Sequence, residues 1–260
     1  MTVVRPDLRD DARPRLPGPV LLLAGTAEAR ALARALAARD IAAVASLAGV
    51  TEDPAALALP TRRGGFGGAA GFAAYLDAER IHAIIDATHP FATHISQRTA
   101  LIAAERGLPC LRLLRPEWRP GVGDRWHEVA DVAGAAAVIP PGARVFAALG
   151  RQALPALAAL PGRRLYLRQI ARPDTPFPYD GDYVLGRPGA TAGEEAALFA
   201  RLGIDWVLTK NAGGAASAAK LAAARDMALP VAMIRRPTLP AGPGVGTVAD
   251  ALAWIEGVGE

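Results

Sequence analysis

The chain has 260 residues, 52% of them hydrophobic, and a net charge of +4, which suits one large α/β unit or, as we expect, two modest ones. The charge is scattered rather than gathered in a basic block with aromatics, and no apolar run approaches the ~20 residues that span a bilayer, so neither nucleic acid nor a membrane is an expected partner. A single cysteine, Cys110, rules out an internal disulfide and a thiolate metal cluster and fits a cytoplasmic setting.

Residues 1–17, which mix charge and proline without a period, are expected to form a disordered leader. From Val20, "VLLLAG" reads as a buried strand, "AEARALARALAAR" as a helix and "IAAVAS" as a second strand. A Gly-rich stretch, "RRGGFGGAAG", leads to a helix over "FAAYLDAER" and a third strand over "IHAIIDA". After Pro90 the recurrence of Ile95, Thr99, Ile102 and Arg106 predicts a helix that Gly107 stops, and "PCLRLL" is the next strand. The second half repeats this grammar. Strands are expected over "RVFAALG", "RLYLRQI", "DWVLT" and "PVAMI", and helices over "RQALPALAAL", "TAGEEAALFARLG" and "SAAKLAAARDM". Thr191 and Glu194 form a capping box. Two local echoes, "GLPCLRLLRP" with "ALPVAMIRRP" and "LLLAGTAEARALARAL" with "VFAALGRQALPALAAL", support two similar domains with mainly parallel sheets. The expected division is 18–130 and 131–260, with the join between Arg119 and Gly142.

In such sheets ligands collect beyond the carboxyl ends of the strands, where helix N-termini point their free amides. Three strand-to-helix loops fall there. In "AGTAEA" the amides of Gly25 and Thr26 are placed to meet phosphate, although the loop lacks the further glycines of a dinucleotide fingerprint. An NAD-selective site would want an acid at the end of the second strand. Ser46 stands there instead, with Arg62 and Arg63 nearby, which suits the 2'-phosphate of NADP(H). In "DATHPF", Asp86 closes a strand, and Asp86 and Thr88 either face a ligand or satisfy backbone amides; Pro90 is expected in the first helical turn with Thr88 or His89 as cap. His89 beside a helix N-terminus would favour its neutral form, able to hydrogen-bond substrate or cofactor. No third ligand accompanies His89 and His94 at a zinc-like spacing, so no metal is expected. In "TKNAGG", Lys210 is one of only two lysines and Asn211 the only asparagine. Lys210 would neutralise a carboxylate or polarise a nitrogen, and the glycines permit close backbone approach. The motif does not match a phosphate-binding P-loop.

Taken in order, "LAGTAEARALA", "DATHPFATHIS", "LRLLRPEW", "TKNAGG" and "LPVAMIRRP" resemble the precorrin-6A reductase family of cobalamin biosynthesis over nearly the whole chain from Val20. The resemblance implies two Rossmann-like domains around an interdomain cleft, the first binding NADPH and the second substrate, and reduction of one double bond of precorrin-6A, or its cobalt form, to give precorrin-6B. It assigns Gly25, Thr26 and Glu28 to the nucleotide turn, Asp86 to Phe91 to the cleft, and Lys210 to Gly214 to its opposite wall. Ala27 and Ala212 depart from glycine and serine common in the family. A polycarboxylate macrocycle demands cations, and arginine's planar fork suits carboxylates; Arg115, Arg119, Arg168, Arg172, Arg187, Arg235 and Arg236 stand at or beyond expected strand ends, and Trp118 is placed to lie against the ring or pack the linker. The catalytic candidates are His89 and Lys210. Ser46, Arg63, Asp86 and Thr88 join Gly25, Thr26 and Glu28 as cofactor candidates, and Phe91, Arg115, Lys210, Asn211, Gly213, Gly214 and Arg236 are the substrate candidates. Expected partners are the tetrapyrrole and, transiently, neighbouring pathway enzymes. Two other readings are a reductase of a smaller substrate and a non-catalytic NADP sensor.

Overall fold

A computed structural model describes residues 16–48 and 56–258; most of the expected leader lies outside them. The chain divides into two compact units, one running through Arg115 and resuming at Leu239, the other Pro116–Thr238. The first holds β1 (Val20–Leu23), α1 (Ala27–Ala37), β2 (Ala43–Leu47), β3 (Thr61–Arg63), α2 (Gly68–Ala78), β4 (Ala83–Asp86), α3 (Thr93–Glu105) and β5 (Cys110–Leu113). The second holds β6 (Arg125–Val129), α4 (Val132–Ala135), β7 (Arg144–Ala148), β8 (Arg164–Gln169), β9 (Gly181–Leu185), α5 (Ala192–Leu202), β10 (Trp206–Lys210), α6 (Ala219–Asp226) and β11 (Pro230–Ile234). The chain then returns to the first unit as β12 (Gly244–Val245) and α7 (Val248–Val258).

Each unit carries a six-stranded sheet, in the orders β12-β5-β4-β1-β2-β3 and β6-β11-β10-β7-β8-β9, and every strand pair is parallel. Apart from its outermost strand, each sheet follows the Rossmann order, with the reversal between β1 and β4 in one and β7 and β10 in the other. The outermost strands are crossed over in the chain. β6, which follows β5, pairs with β11, and β12, which follows β11, pairs with β5.

The pleat explains the layers. Val20 and Leu22 of β1 point to a core with Leu32 and Leu36 of α1 and Ala251 and Ile255 of α7. Leu21 and Leu23 point the other way, to Phe72 and Leu76 of α2 and Ile102 of α3. All four β1 side chains are at most 1% exposed, each burial stabilising by roughly 1.5–3 kcal/mol. In the second unit Phe146, Val207, Val231 and Met233 pack against Phe199 of α5 and Leu221 of α6.

Here the expected division is corrected. The second unit begins at Pro116 rather than 131, and 239–258 belong to the first, because α7 covers the apolar face that α1 alone leaves partly open. The expected helix over 151–160 is two short 3-10 segments, Arg151–Ala153 and Pro155–Ala159, since Pro155 lacks the amide an α-helix interior needs. Strands β3, β6, β9 and β12 and helices α4 and α7 were not expected; β3, β6 and β9 are short or mixed-polarity strands with exposed residues. Among the described residues no helix is long and apolar enough to cross a membrane.

Candidate functional site

The loops "AGTAEA" and "DATHPF" leave β1 and β4, the two neighbouring strands at the reversal of the first sheet, and there they touch. Thr26 caps α1: its hydroxyl accepts from the Ala29 amide at 3.1 Å and donates to the Ala87 carbonyl at 2.9 Å. A Cβ built on Gly25 would lie 3.9 Å from the His89 amide nitrogen. One side chain thus orients the helix N-terminus, with its partial positive charge and unpaired amides, and fastens the neighbouring loop to it.

Asp86 is 4% exposed. One carboxylate oxygen accepts from the Thr88 amide at 3.1 Å and the Thr88 hydroxyl at 2.6 Å. The other lies 3.4 Å from Arg112 Nη1, while Arg112 Nη2 donates to Ser96 Oγ at 2.8 Å. Of the two readings open for Asp86 and Thr88, the local hydrogen-bonding one describes their side chains, and the buried charge is compensated by Arg112, which sequence reasoning missed. The signal was present: Arg112 is the one charged residue inside "PCLRLL", and a buried arginine needs a carboxylate. The nearby Cys110 thiol is pushed up to about 11 by burial and by the Asp86 charge, against the Arg112 charge.

The helical cap is corrected. α3 starts at Thr93 behind Ala92, with no side-chain cap, and Pro90 sits in a preceding turn closed by the Ala92 amide on the His89 carbonyl at 2.8 Å. Neither Thr88 nor His89 caps it. His89 Nδ1 instead accepts from the Phe91 amide at 3.3 Å, and the two rings stand 5.8 Å apart. That bond leaves Nε2 as the nitrogen carrying the proton in the neutral ring.

At the ends of β2 and β3, Ser46 and Arg62 are register partners. Arg62 Nη1 donates to Ser46 Oγ at 2.8 Å, and the guanidinium also reaches the Gly64 and Gly65 carbonyls at 3.0 and 2.9 Å. It lies 3.8 Å over the Phe66 ring. Arg62 is therefore the arginine on Ser46, while Arg63, the residue singled out from sequence, is exposed beside it. Glu28 and Arg115, assigned to cofactor and to substrate, pair with each other at 2.7 Å. Burial raises the Glu28 pKa, but hydrogen bonds from its own backbone amide and from Arg115, with the Arg115 charge, outweigh it and hold the carboxyl below its usual value.

In the second unit "TKNAGG" leaves β10, beside the reversal of that sheet. Lys210 is half-buried, and burial lowers its pKa. Asn211 is 6% exposed and pairs with the backbone of Trp118 in both directions, accepting from its amide at 2.9 Å and donating to its carbonyl at 3.0 Å. Trp118 Nε1 donates to the Gly214 carbonyl at 2.8 Å, and Lys220 Nζ lies 4.7 Å over the indole. Gly213 has φ +68, and a Cβ there would stand 2.1 Å from the Pro116 carbonyl oxygen. Arg236 donates to the carbonyls of Asn211 and Ala212 at 3.0 and 3.1 Å and stands 3.6 Å from Glu117. Asn211, Gly213, Gly214 and Arg236 thus hold the segment 116–118, and Trp118 packs against the core of the second unit.

The family described as Precorrin-6x reductase CbiJ/CobK matches residues 19–256. The chain belongs to this precorrin-6x reductase family. Within it, the chain is 46% identical over 239 residues to "Precorrin-6A reductase" of Rhodococcus erythropolis, covering 91% of this chain and 96% of that one. It is 42% identical over 238 residues to the enzyme of that name from Rhodobacter capsulatus, covering 91% and 95%. A solved structure titled "CobK precorrin-6A reductase" superposes with a TM-score of 0.89 at 41% identity, covering 93% of this chain and 97% of that one. Family membership and the paired parallel sheets agree.

Proposed function

We propose that this member of the precorrin-6x reductase family reduces one double bond of precorrin-6A, or of its cobalt form, with NADPH, giving precorrin-6B in cobalamin biosynthesis. The observation that carries the cofactor half is the meeting of the Gly25–Thr26 turn and the Asp86–His89 loop at the reversal of the first sheet, where doubly wound folds bind nucleotides. The residues present suit NADPH. The α1 N-terminus offers amides for pyrophosphate. Among the described residues no acid stands at the end of β2 to hold a 2'-hydroxyl, and Ser46, Arg62 and Arg63 supply hydroxyl and cations for a 2'-phosphate. Bound there, NADPH would supply the hydride.

The protein's own task is then to position and to shield. Thr26 fixes the turn against Ala87, and Asp86, braced by Arg112, fixes Thr88 and with it the backbone that presents His89. His89 holds a proton on Nε2 that it can donate by hydrogen bond to the reacting macrocycle, and Lys210, held partly out of water, is a second proton or charge donor. Gly25, Thr26, Ser46, Arg62 and Arg63 are proposed for the cofactor, and Phe91 and Lys210 for the substrate. Glu28, Arg115, Asn211, Gly213, Gly214 and Arg236 are proposed as the frame that shapes these loops: Glu28 pairs with Arg115, and the other four hold the segment 116–118.

The test is anaerobic mixing of protein, NADPH and precorrin-6A with nicotinamide absorbance and macrocycle spectrum followed together. Stoichiometric loss of NADPH with conversion of the macrocycle spectrum is expected. NADPH binding without oxidation in the presence of precorrin-6A would point to a sensor, and oxidation only with a smaller acceptor would point to a different reductase.

A further inference from the structure

A concave feature lies wholly in the second unit, where the end of β9 and the following loop face α5. It is an open pocket of about 380 Å³ whose apolar wall includes Val184, Leu185 and Leu198 and whose rim carries Arg187 and Arg201. Its size is that of a small-ligand site. Glu194, Leu198 and Arg201 fall four and three residues apart on α5, so they line one face of that helix.

The charges are unevenly committed. Glu194 is occupied as a cap, accepting from the Ala190 and Thr191 amides at 2.7 and 3.4 Å. Glu195, 1% exposed, accepts from Arg168 Nη1 at 2.7 Å and from the Gly189 amide. Arg187 and Arg201, by contrast, form no hydrogen bond or ion pair among the described residues and are exposed at the rim. Three guanidinium groups against two carboxylates leave the pocket positive, and the two uncommitted forks line it together with Val184, Leu185 and Leu198. Arginine forks match carboxylate oxygens in bidentate geometry, while the aliphatic side chains give nothing to a bare inorganic anion.

We propose that this pocket binds a carboxylate carried on an apolar body. The carboxylate has two possible sources: an acid arm of the macrocycle, which rests on the reductase reading above, or a free organic acid. The test compares wild type with the double variants Arg187→Ala/Arg201→Ala and Arg187→Gln/Arg201→Gln, and with Leu185→Asp, which adds an opposing charge at a side chain already 43% exposed. The probe is 3-phenylpropionate, titrated by NMR, with 3-phenylpropionamide as its uncharged control.

Wild type is expected to bind the acid and not the amide, and all three variants to weaken the acid at least tenfold. If the variants also raise KM for precorrin-6A about tenfold with kcat and the KM for NADPH unchanged, the pocket holds a substrate arm. If reduction kinetics are unchanged while probe binding is lost, it holds a free acid. Should the protein prove inactive on precorrin-6A, the probe titration still decides the pocket. Equal binding of acid and amide, or variants that match wild type in both probe affinity and KM, would overturn the proposal.

Discussion

Ser46 buries a hydroxyl at the tip of β2, and its partner is the Arg62 guanidinium at 2.8 Å. Charge-assisted bonds to phosphate are worth about 1.5–3 kcal/mol, so an arginine held at that place can separate NADPH from NADH by roughly tenfold or more. Arg62→Ala is expected to lower the NADPH-over-NADH preference in kcat/KM at least tenfold, by raising the KM for NADPH; an unchanged preference would move the 2'-phosphate elsewhere. His89 accepts through Nδ1 in its own turn, which assigns the proton of the neutral ring to Nε2. His89→Ala is expected to lower kcat/KM for precorrin-6A at least tenfold, with NADPH affinity, measured by fluorescence titration, little changed. Undiminished turnover would remove His89 from the mechanism. Which residues stand in these loops could be read from sequence; their bonds could not. Asp86, Thr88 and Ser46 stand at strand ends, where polar residues usually face solvent or ligand, and the sequence does not show that each is also bonded within the protein. Arg112 and Arg62, the partners of Asp86 and Ser46, lie 26 and 16 residues away and meet them only once parallel strands are in register.

At the scale of elements, the loop after β10 shows a motif serving the backbone rather than offering free polar groups. Gly213 adopts φ +68 against the Pro116 carbonyl, so an added methyl would suffer both a left-handed conformation and a backbone clash, together on the order of 2–5 kcal/mol. Gly213→Ala is expected to lower the chemical denaturation midpoint and to change Trp118 fluorescence, since Gly214 accepts the indole N–H. A variant with native fluorescence and midpoint would show that the segment 116–118 is not held by this loop. The long periodic elements were legible: β1, α1, β4, α5 with its capping box, β10 and β11 fall where apolar period and caps put them. The strands missed were legible in no local pattern, whereas α7 carried one, a Thr247 cap on the Asp250 amide ahead of buried Ala251, Leu252 and Ile255. β6 reads Arg-Trp-His-Glu-Val and is exposed at alternate and adjacent positions, an edge strand chosen by its pairing with β11, and β12 has two residues.

Across the whole molecule, the decisive feature is that each sheet closes with a strand the chain order would give to the other. The echoed "LRP" and "RRP" stretches end at Pro116 and Pro237, close to the two passages between the units; the repetition was visible, but its topological meaning needed the sheet orders. One consequence is that the segment after Leu239 is part of the first core, where Ile255 is 1% exposed. Ile255→Ala is expected to destabilise by about 2–5 kcal/mol, read as a lower urea midpoint and, near that midpoint, weaker NADP binding. A loss below ~0.5 kcal/mol would deny α7 that role.

The central claim is that the pyridine nucleotide lies on the first sheet's reversal. Hydrogen exchange followed by mass spectrometry, with and without saturating NADP+, measures this directly. Slower exchange is expected in peptides covering residues 24–29, 61–66 and 86–91. Slowing confined to residues 116–238, with those three stretches unchanged, would contradict it.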